Sequence, residues 1–281
     1  MSSERPLNKY NRKEIFFWLA LKRIPGIGNV IYKRLIEKFH TPEGVFRATP
    51  AELKKIEGIR PKTIEAITNN FRDEEWVNRE LERVEQLGIK ILTINDRLYP
   101  QILKNIYDPP PILYVKGKIT EEDRLSISIV GSRGASAYGK EITYRLTRAL
   151  TQQGFTIVSG LARGIDTFAH KGALKAGGRT LAVLGSGIDV IYPWENRHLS
   201  EEISENGAII SEFALGTPPE AVNFPSRNRI ISGLSLGTVI IEASFRSGSL
   251  ITARLALEPV SYTHLRAHET SLHLVCRLLL E

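Results

Sequence analysis

The chain has 281 residues, of which 42% are hydrophobic and 25% charged, so it can bury a substantial core and divide into two domains. Its formal net charge of +7 permits a polyanionic partner, although solubility alone would explain the excess of Lys and Arg. The single cysteine, Cys276, excludes an internal disulfide framework, and the sequence has neither a membrane-spanning apolar run nor the apolar core of a signal peptide. We therefore expect a cytoplasmic protein without a membrane partner.

Residues 1–72 are predicted to form a small all-α domain with two glycine turns. Pro25-Gly26-Ile27-Gly28 separates two amphipathic segments, and Gly58-Ile59-Arg60-Pro61 repeats the arrangement. The pair resembles helix-hairpin-helix or sterile-alpha-motif-like (SAM-like) modules, in which amides at a helix start can meet a DNA phosphate. Arg60 replaces Gly28 in the second copy, which argues against a close backbone approach there. Tight packing of helix pairs remains the alternative explanation.

Residues 73–98 are predicted to link this domain to a second one through a long helix, which ends at Gly88, and a strand. Short β-branched runs then alternate with amphipathic helical segments as far as residue 258. Such strands are typical of a parallel sheet that is covered by helices on both faces. The sequence therefore predicts an α/β domain over residues 99–258.

Ligands of such sheets bind beyond the carboxyl ends of the strands. The residues that come directly after predicted strands are expected to line one crevice; they are Gly131, Ser132, Arg133, Ser159, Gly160, Gly185 and Gly187.

The loop that begins at Gly131 departs from two nucleotide-binding motifs. Gly131-Ser132-Arg133-Gly134 lacks the spacing of the dinucleotide fingerprint, and the next strand ends in Ser159-Gly160 instead of an acidic residue. Glu141 stands where the phosphate loop of ATP-binding proteins needs Ser or Thr. NAD and ATP are therefore disfavoured, and we predict no cofactor.

Cationic side chains dominate the predicted crevice. No group of His, Cys and carboxylate residues accompanies them, which favours binding over catalysis and predicts no metal site. Asp166 and Glu242 are the candidate catalytic carboxylates, but we interpret Asp166 as a helix N-cap and place Glu242 within a strand. His170 is predicted to lie in the core or at the rim. The cations near loop positions are Arg133, Arg163, Lys171, Arg227 and Arg229.

Five long motifs in fixed order resemble the DNA-processing protein A (DprA/Smf) family from about Tyr99 to Glu258. They read IVGSRGASAYG, GFTIVSGLARGIDTFAHKGAL, TLAVLGSGIDVIYP, GAIISEFALGTPPEAVNFPSRNRIISGLS and VIIEASFRSGSLITARLALE. The resemblance implies an extended Rossmann-like domain that binds single-stranded DNA and helps load the RecA recombinase during natural transformation. Members of the family usually act as homodimers.

The resemblance also implies where the DNA backbone binds. Ser132, Arg133, the amides around Gly160 and Lys171 would hold phosphates, and the family places the segment NFPSRNR beside the same pocket. Tyr192 and Trp194 either stack on bases or pack over a loop. The predicted DNA-binding residues are Gly131, Ser132, Arg133, Gly160, Arg163, Lys171, Arg227, Asn228, Arg229, Ser247 and Gly248.

An alternative function is that of a nucleotide-metabolising enzyme of the lysine-decarboxylase-like, phosphoribohydrolase type. That family bears PGGxGTxxE, whereas this chain has RSGSLITARLALE at the matching strand end, without the double glycine.

Residues 259–281 depart from the family pattern, and we interpret them as a non-native tail that resembles translated sequencing-adapter read-through. His264, His268 and Cys276 would otherwise suggest zinc, an interpretation that we reject with the tail. The α/β domain is then expected to be truncated, with an unpaired sheet edge that weakens dimerisation.

Overall fold

The computed structural model describes residues 9–69, 72–242, 262–265 and 272–277. The chain forms two compact units. The first comprises Met1–Asp96 and Tyr107–Leu113, and the second comprises Arg97–Ile106 and Tyr114–Glu281. The predicted linker therefore belongs almost wholly to the first unit.

The first unit is built from short helices. Thr41 and Thr49 accept hydrogen bonds as N-caps ahead of α3 and α4, and each is followed by a proline that suits the first helical position. The elements are α1 (Lys9–Arg23), α2 (Asn29–Phe39), α3 (Pro42–Arg47), α4 (Pro50–Leu53), α5 (Pro61–Thr68), α6 (Glu74–Gln86) and β1 (Lys90–Thr93).

Helix α6 belongs to the first unit because its apolar face is buried there. Val77, Leu81 and Val84 of α6 have no exposed surface, and Arg12 of α1 donates to Glu85 at 2.7 Å. This burial explains why residues 74–86 are not a free spacer.

The two glycine turns have matching geometry, as the internal repeat predicts. Gly26 and Gly58 lie in the left-handed region, with φ of 87° and 82°. Gly28 and Arg60 are the extended N-cap residues of α2 and α5. The hydroxyl of Thr63 donates to the carbonyl of Pro25 at 3.1 Å, so α5 packs directly against the first turn.

The second unit alternates strands with helices. Three short 3₁₀ turns, Gln101–Asn105, Glu121–Arg124 and Trp194–Asn196, accompany them. The elements are β2 (Ile112–Gly117), whose first two residues count with the first unit, β3 (Ser126–Gly131), α7 (Ala137–Gln152), β4 (Thr156–Ser159), α8 (Ile165–Lys175), β5 (Thr180–Val183), α9 (Arg197–Asn206), β6 (Ala208–Ser211), α10 (Asn223–Gly233), β7 (Gly237–Ile241), β8 (Tyr262–Leu265) and β9 (Leu272–Arg277).

The sheet of this unit has the order β2-β6-β5-β4-β3-β7-β9-β8. Strands β6, β5, β4, β3 and β7 are parallel neighbours, and β2 and β9 run antiparallel at either side of them. Strands β4, β5, β6 and β7 are buried at every position, as expected for strands covered on both faces. The α/β prediction is confirmed.

The tail contributes two described strands, of which β9 pairs with β7 from Gly237 to Ile241. Strand β7 is therefore not the unpaired edge that a truncated sheet was expected to leave, since β9 is hydrogen-bonded to it; weaker dimerisation stays a prediction. No helix among the described residues is both long enough and apolar enough to cross a membrane.

Candidate nucleic-acid interface

The loops after β3, β4 and β5 surround a small cleft of about 80 Å³. These strands are parallel, so their carboxyl ends meet at one edge of the sheet. The structure thereby brings together Arg133, Gly160 and Arg163 from the predicted binding set. The cleft is lined by Arg133, Gly160, Ala162, Arg163, Tyr192, Pro193 and Phe224.

Arg133 and two aromatic rings form the mouth of the cleft. The Arg133 guanidinium lies 5.0 Å from the centre of the Phe224 ring, and this ring lies 6.2 Å from that of Tyr192. Arg133 is exposed, and it forms no ion pair with any residue that the structure describes. The mouth therefore offers an exposed cation beside aromatic faces, and its charge also acts on the buried Asp166 carboxylate.

The strand order reverses between β3 and β7. The chain adds β4, β5 and β6 on one side of β3, and then places β7 on its other side. Open α/β sheets usually bind ligands at such a point. Here Glu242 fills it: its carboxylate accepts hydrogen bonds from the Ser136 amide at 2.8 Å and from the Ser136 hydroxyl. A Cβ on Gly139 would lie 2.4 Å from the Glu242 carboxyl carbon. A carboxylate therefore occupies the start of α7, where a nucleotide phosphate would bind.

The position of Glu242 corrects its predicted place within a strand. It directly follows β7 with a left-handed φ of 54°, which turns its side chain towards α7. Hydrogen bonds from the Ser136 side chain, and then from backbone amides, lower the pKa of the Glu242 carboxyl.

The first residues of the loop after β3 serve the fold through their backbones. The Ser132 amide donates to the Ile241 carbonyl at 3.2 Å, and the Ser132 carbonyl accepts from the Ile165 amide at 3.1 Å. A Cβ on Gly131 would lie 2.0 Å from the Ile241 carbonyl oxygen. Gly131 and Ser132 thus hold the loop in place and leave the Arg133 side chain to face the cleft.

A buried arginine and a buried carboxylate support the floor of the cleft. Arg227 is 4% exposed, and it donates to the carbonyls of Gly160 at 2.6 Å and Val183 at 2.5 Å. Asp166, also 4% exposed, accepts from the Gly160 amide at 3.1 Å. A Cβ on Gly160 would lie 2.3 Å from the Arg227 guanidinium, so only glycine fits there.

Burial shifts the pKa values of both Arg227 and Asp166. It lowers the pKa of Arg227 to about 10, against the opposing effect of Asp166. It raises the pKa of Asp166, with Arg227 again the main opposing influence. Asp166 lies within the first turn of α8 and holds the loop amides, so it is not the helix N-cap that the sequence suggested.

The sequence profile described as DNA recombination-mediator protein A matches residues 90–262, more than half of the chain. The chain belongs to this family. A second profile, a SAM-like helix-hairpin-helix tandem, matches residues 19–73 and confirms the interpretation of the first unit.

Curated and solved relatives agree with this assignment. Protein Smf of Synechocystis sp. is 43% identical over 249 residues, which cover 86% of this chain and 62% of that protein. DNA processing protein DprA of Bacillus subtilis is 44% identical over 181 residues, which cover 64% of this chain and 61% of that protein. The chain thus spans about three fifths of these relatives.

Two solved structures share the fold. The X-ray structure of DprA from Streptococcus pneumoniae superposes with a TM-score of 0.75 at 33% identity, covering 88% of this chain and 83% of that one. DprA from Helicobacter pylori, solved to describe its single-stranded DNA binding mode, gives a TM-score of 0.56 at 32% identity, covering 65% of this chain and 84% of that one.

In this member of the family, the predicted residues of α10 make internal contacts. Arg229 is 8% exposed and donates to Glu212, and the Asn228 side-chain oxygen accepts from Arg227 at 3.0 Å. Direct contact of Arg227 or Arg229 with DNA would require these buried contacts to break. We therefore assign Arg227 a supporting place beneath the cleft and Arg229 a structural contact with Glu212.

The two other predicted cations, Lys171 and Arg163, differ in position. Lys171 is exposed on α8, where its ammonium lies 5.7 Å from the Phe168 ring centre, outside the cleft lining. Arg163 lines the cleft but donates to Glu195 at 2.5 Å. Ser247 and Gly248 lie outside the described residues.

Buried His170 belongs to the core. Its ring Nδ1 lies 2.7 Å from the Thr180 hydroxyl, and burial lowers its pKa to about 3. In the part of the chain that the structure describes, no three His, Cys, Asp or Glu residues form a group that could hold a metal ion.

Sequence reasoning missed Phe224, although it adjoins the predicted Arg227 in the segment NFPSRNR. It also missed a larger, mostly apolar cavity of about 440 Å³ at the amino ends of β5 and β7, whose lining includes Leu181, Leu234 and Leu236. This cavity lies away from the strand ends that carry the loop cations.

Proposed function

We propose that the chain binds single-stranded DNA at the cleft and acts as a recombination mediator, without catalysing a reaction. The observation that carries the proposal is the Arg133 guanidinium over the Phe224 ring, beside Tyr192. An exposed guanidinium provides two hydrogen bonds for a backbone phosphate, and the rings provide faces for unpaired bases. A duplex keeps its bases stacked and cannot use those faces.

The contacts around the cleft argue against a mononucleotide as ligand. Glu242 fills the start of α7, and its charge would repel a nucleotide phosphate there. Asp166 is engaged by loop amides below the surface, so neither carboxylate is placed as a general acid or base for a ligand in the cleft.

Family membership supports the wider role. We propose that the chain helps load RecA on single-stranded DNA during natural transformation, in the cytoplasm. The family description as a recombination mediator supports this role, and the Helicobacter pylori relative supports the choice of single-stranded DNA.

Loss of the aromatic face at the cleft tests the proposal. Phe224→Leu keeps apolar volume but removes the ring, and we expect it to weaken binding of a labelled dT oligonucleotide at least about fivefold. Tyr138→Leu is the matched control, because Tyr138 is 66% exposed and lies outside the cleft lining. Fluorescence anisotropy measures both. Equal affinities, or release of free base from nucleoside monophosphates by the wild type, would favour the phosphoribohydrolase alternative.

A further inference from the structure

Arg163 meets a carboxylate from its own chain at the rim of the cleft. Its guanidinium donates to Glu195 at 2.5 Å, and the two side chains are 58% and 62% exposed. Both partners are therefore open to an incoming ligand. A carboxylate and a phosphate are both acceptors that pair with a guanidinium, so the two groups can compete for Arg163.

The position of Glu195 is fixed by a buried neighbour. Glu195 lies in the 3₁₀ turn Trp194–Asn196, which directly follows the cleft residues Tyr192 and Pro193. The side-chain amide of Asn196 donates to the Leu161 carbonyl and to the Thr167 hydroxyl, each at 2.9 Å, and Asn196 is 7% exposed. These bonds tie the turn to the loop that carries Arg163, so the ion pair is held by more than its own attraction.

The ion pair keeps both groups charged. Its hydrogen bond raises the pKa of Arg163, and an amide hydrogen bond followed by the contact with Arg163 lowers the pKa of Glu195. Glu195 is thus an anion at neutral pH. Arg133, by contrast, has no carboxylate partner among the residues that the structure describes. The cleft presents one open cation and one that is already neutralised.

We infer that Glu195 is an internal competitor for the DNA phosphate at Arg163, and that it makes Arg163 bind only strands already anchored at Arg133. A tethered phosphate has a high effective concentration at Arg163 and can displace the carboxylate. A free anion has no such advantage, so Glu195 selects polynucleotides over small phosphates. The inference rests on the proposed binding of single-stranded DNA.

Four proteins test the competition: wild type, Glu195→Gln, Arg163→Ala and the double variant. Glu195→Gln should tighten binding of a labelled dT oligonucleotide about two- to fivefold. It should also steepen the dependence of log affinity on log salt by up to about 0.7, because Arg163 then pairs with a phosphate throughout instead of being shared between the phosphate and Glu195. Neither gain should appear in the Arg163→Ala background.

Glu220→Gln is the matched control for charge, because Glu220 is exposed in the loop between β6 and α10. It should change affinity less than Glu195→Gln and should act equally with and without Arg163. Thermal melting checks that every variant is folded.

Two results overturn the inference. In the first, Glu195→Gln changes the affinity for the oligonucleotide no more than Glu220→Gln does, or keeps its full effect in the Arg163→Ala background. Glu195 then acts only through net charge, and the proposed DNA binding still stands. If the wild type fails to bind the oligonucleotide, the proposed function fails and takes the inference with it.

Discussion

Arg227 supports the cleft from below, and its removal should unfold the second unit before it affects any ligand. Arg227→Ala would leave two buried carbonyls without their donor and remove the positive charge that favours the ionised form of buried Asp166. We expect a loss of about 3–5 kcal/mol in the free energy of unfolding. Urea unfolding measures this loss. A stable variant with reduced DNA affinity would instead place Arg227 in direct contact with DNA.

Glu242 should make the free energy of unfolding depend on pH in the acidic range. Folding lowers the pKa of the Glu242 carboxyl. Its contribution to stability is therefore fully present above the pKa of the unfolded chain and is lost as the pH falls through the pKa of the folded protein. We expect the wild type to lose stability between about pH 5 and pH 2 more steeply than Glu242→Gln, which cannot ionise. Urea midpoints over this range compare the two proteins. Parallel curves would show that the carboxylate at the start of α7 adds no stability.

Two substitutions in the first glycine turn distinguish a role in helix packing from contact with a DNA phosphate. Gly26 has a φ of 87°, and a Cβ there would lie 2.4 Å from the Thr63 hydroxyl. Gly28 has an ordinary φ of −85°, and nothing lies within 4 Å of an added Cβ. Gly26→Ala should lower stability by about 1 kcal/mol or more, and Gly28→Ala should leave it nearly unchanged.

Gly28→Ala is also the matched test for DNA, since it crowds the amides at the start of α2 without strain. We expect DNA affinity per folded molecule to stay the same in both variants, because the turn packs against α5. Anisotropy with duplex and single-stranded oligonucleotides measures this affinity. Weaker binding by folded Gly28→Ala would instead assign a phosphate to that helix start.

Much of the fold could be predicted from local patterns. The β-branched runs give the parallel strands because strands buried on both faces need apolar side chains at every position. The pairing of β9 with β7 could not be predicted, since antiparallel partners distant in sequence leave no local signal. The left-handed turn at Glu242 was missed for a similar reason, as the residue type there favours no such turn.

At the scale of the whole molecule, the sequence identified the cleft but could not sort its arginines. The motifs and the predicted strand ends placed Arg133, Arg163 and Arg227 near the carboxyl edge of the sheet. Whether a guanidinium faces solvent or the floor depends on distant partners, such as the Asp166 carboxylate and the Val183 carbonyl. Such contacts are settled only when the loops pack together.

The salt dependence of binding tests whether Arg133 in the cleft holds the backbone of single-stranded DNA. If Arg133 neutralises a backbone phosphate, Arg133→Ala should flatten the slope of log affinity against log salt by up to about 0.7. Arg133→Lys should recover only part of the affinity, because an ammonium cannot form the paired hydrogen bonds of a guanidinium. Lys171→Ala, which removes an exposed cation beside Phe168, should flatten the slope if the strand continues along α8.

Lys175→Ala is the control, because it removes the same charge at the far end of α8, away from the cleft. Anisotropy titrations of a labelled dT oligonucleotide at several salt concentrations give the slopes of the wild type and the four variants. We expect a flatter slope for Arg133→Ala and the wild-type slope for Lys175→Ala. A wild-type slope in Arg133→Ala would remove the cleft from the path of the DNA.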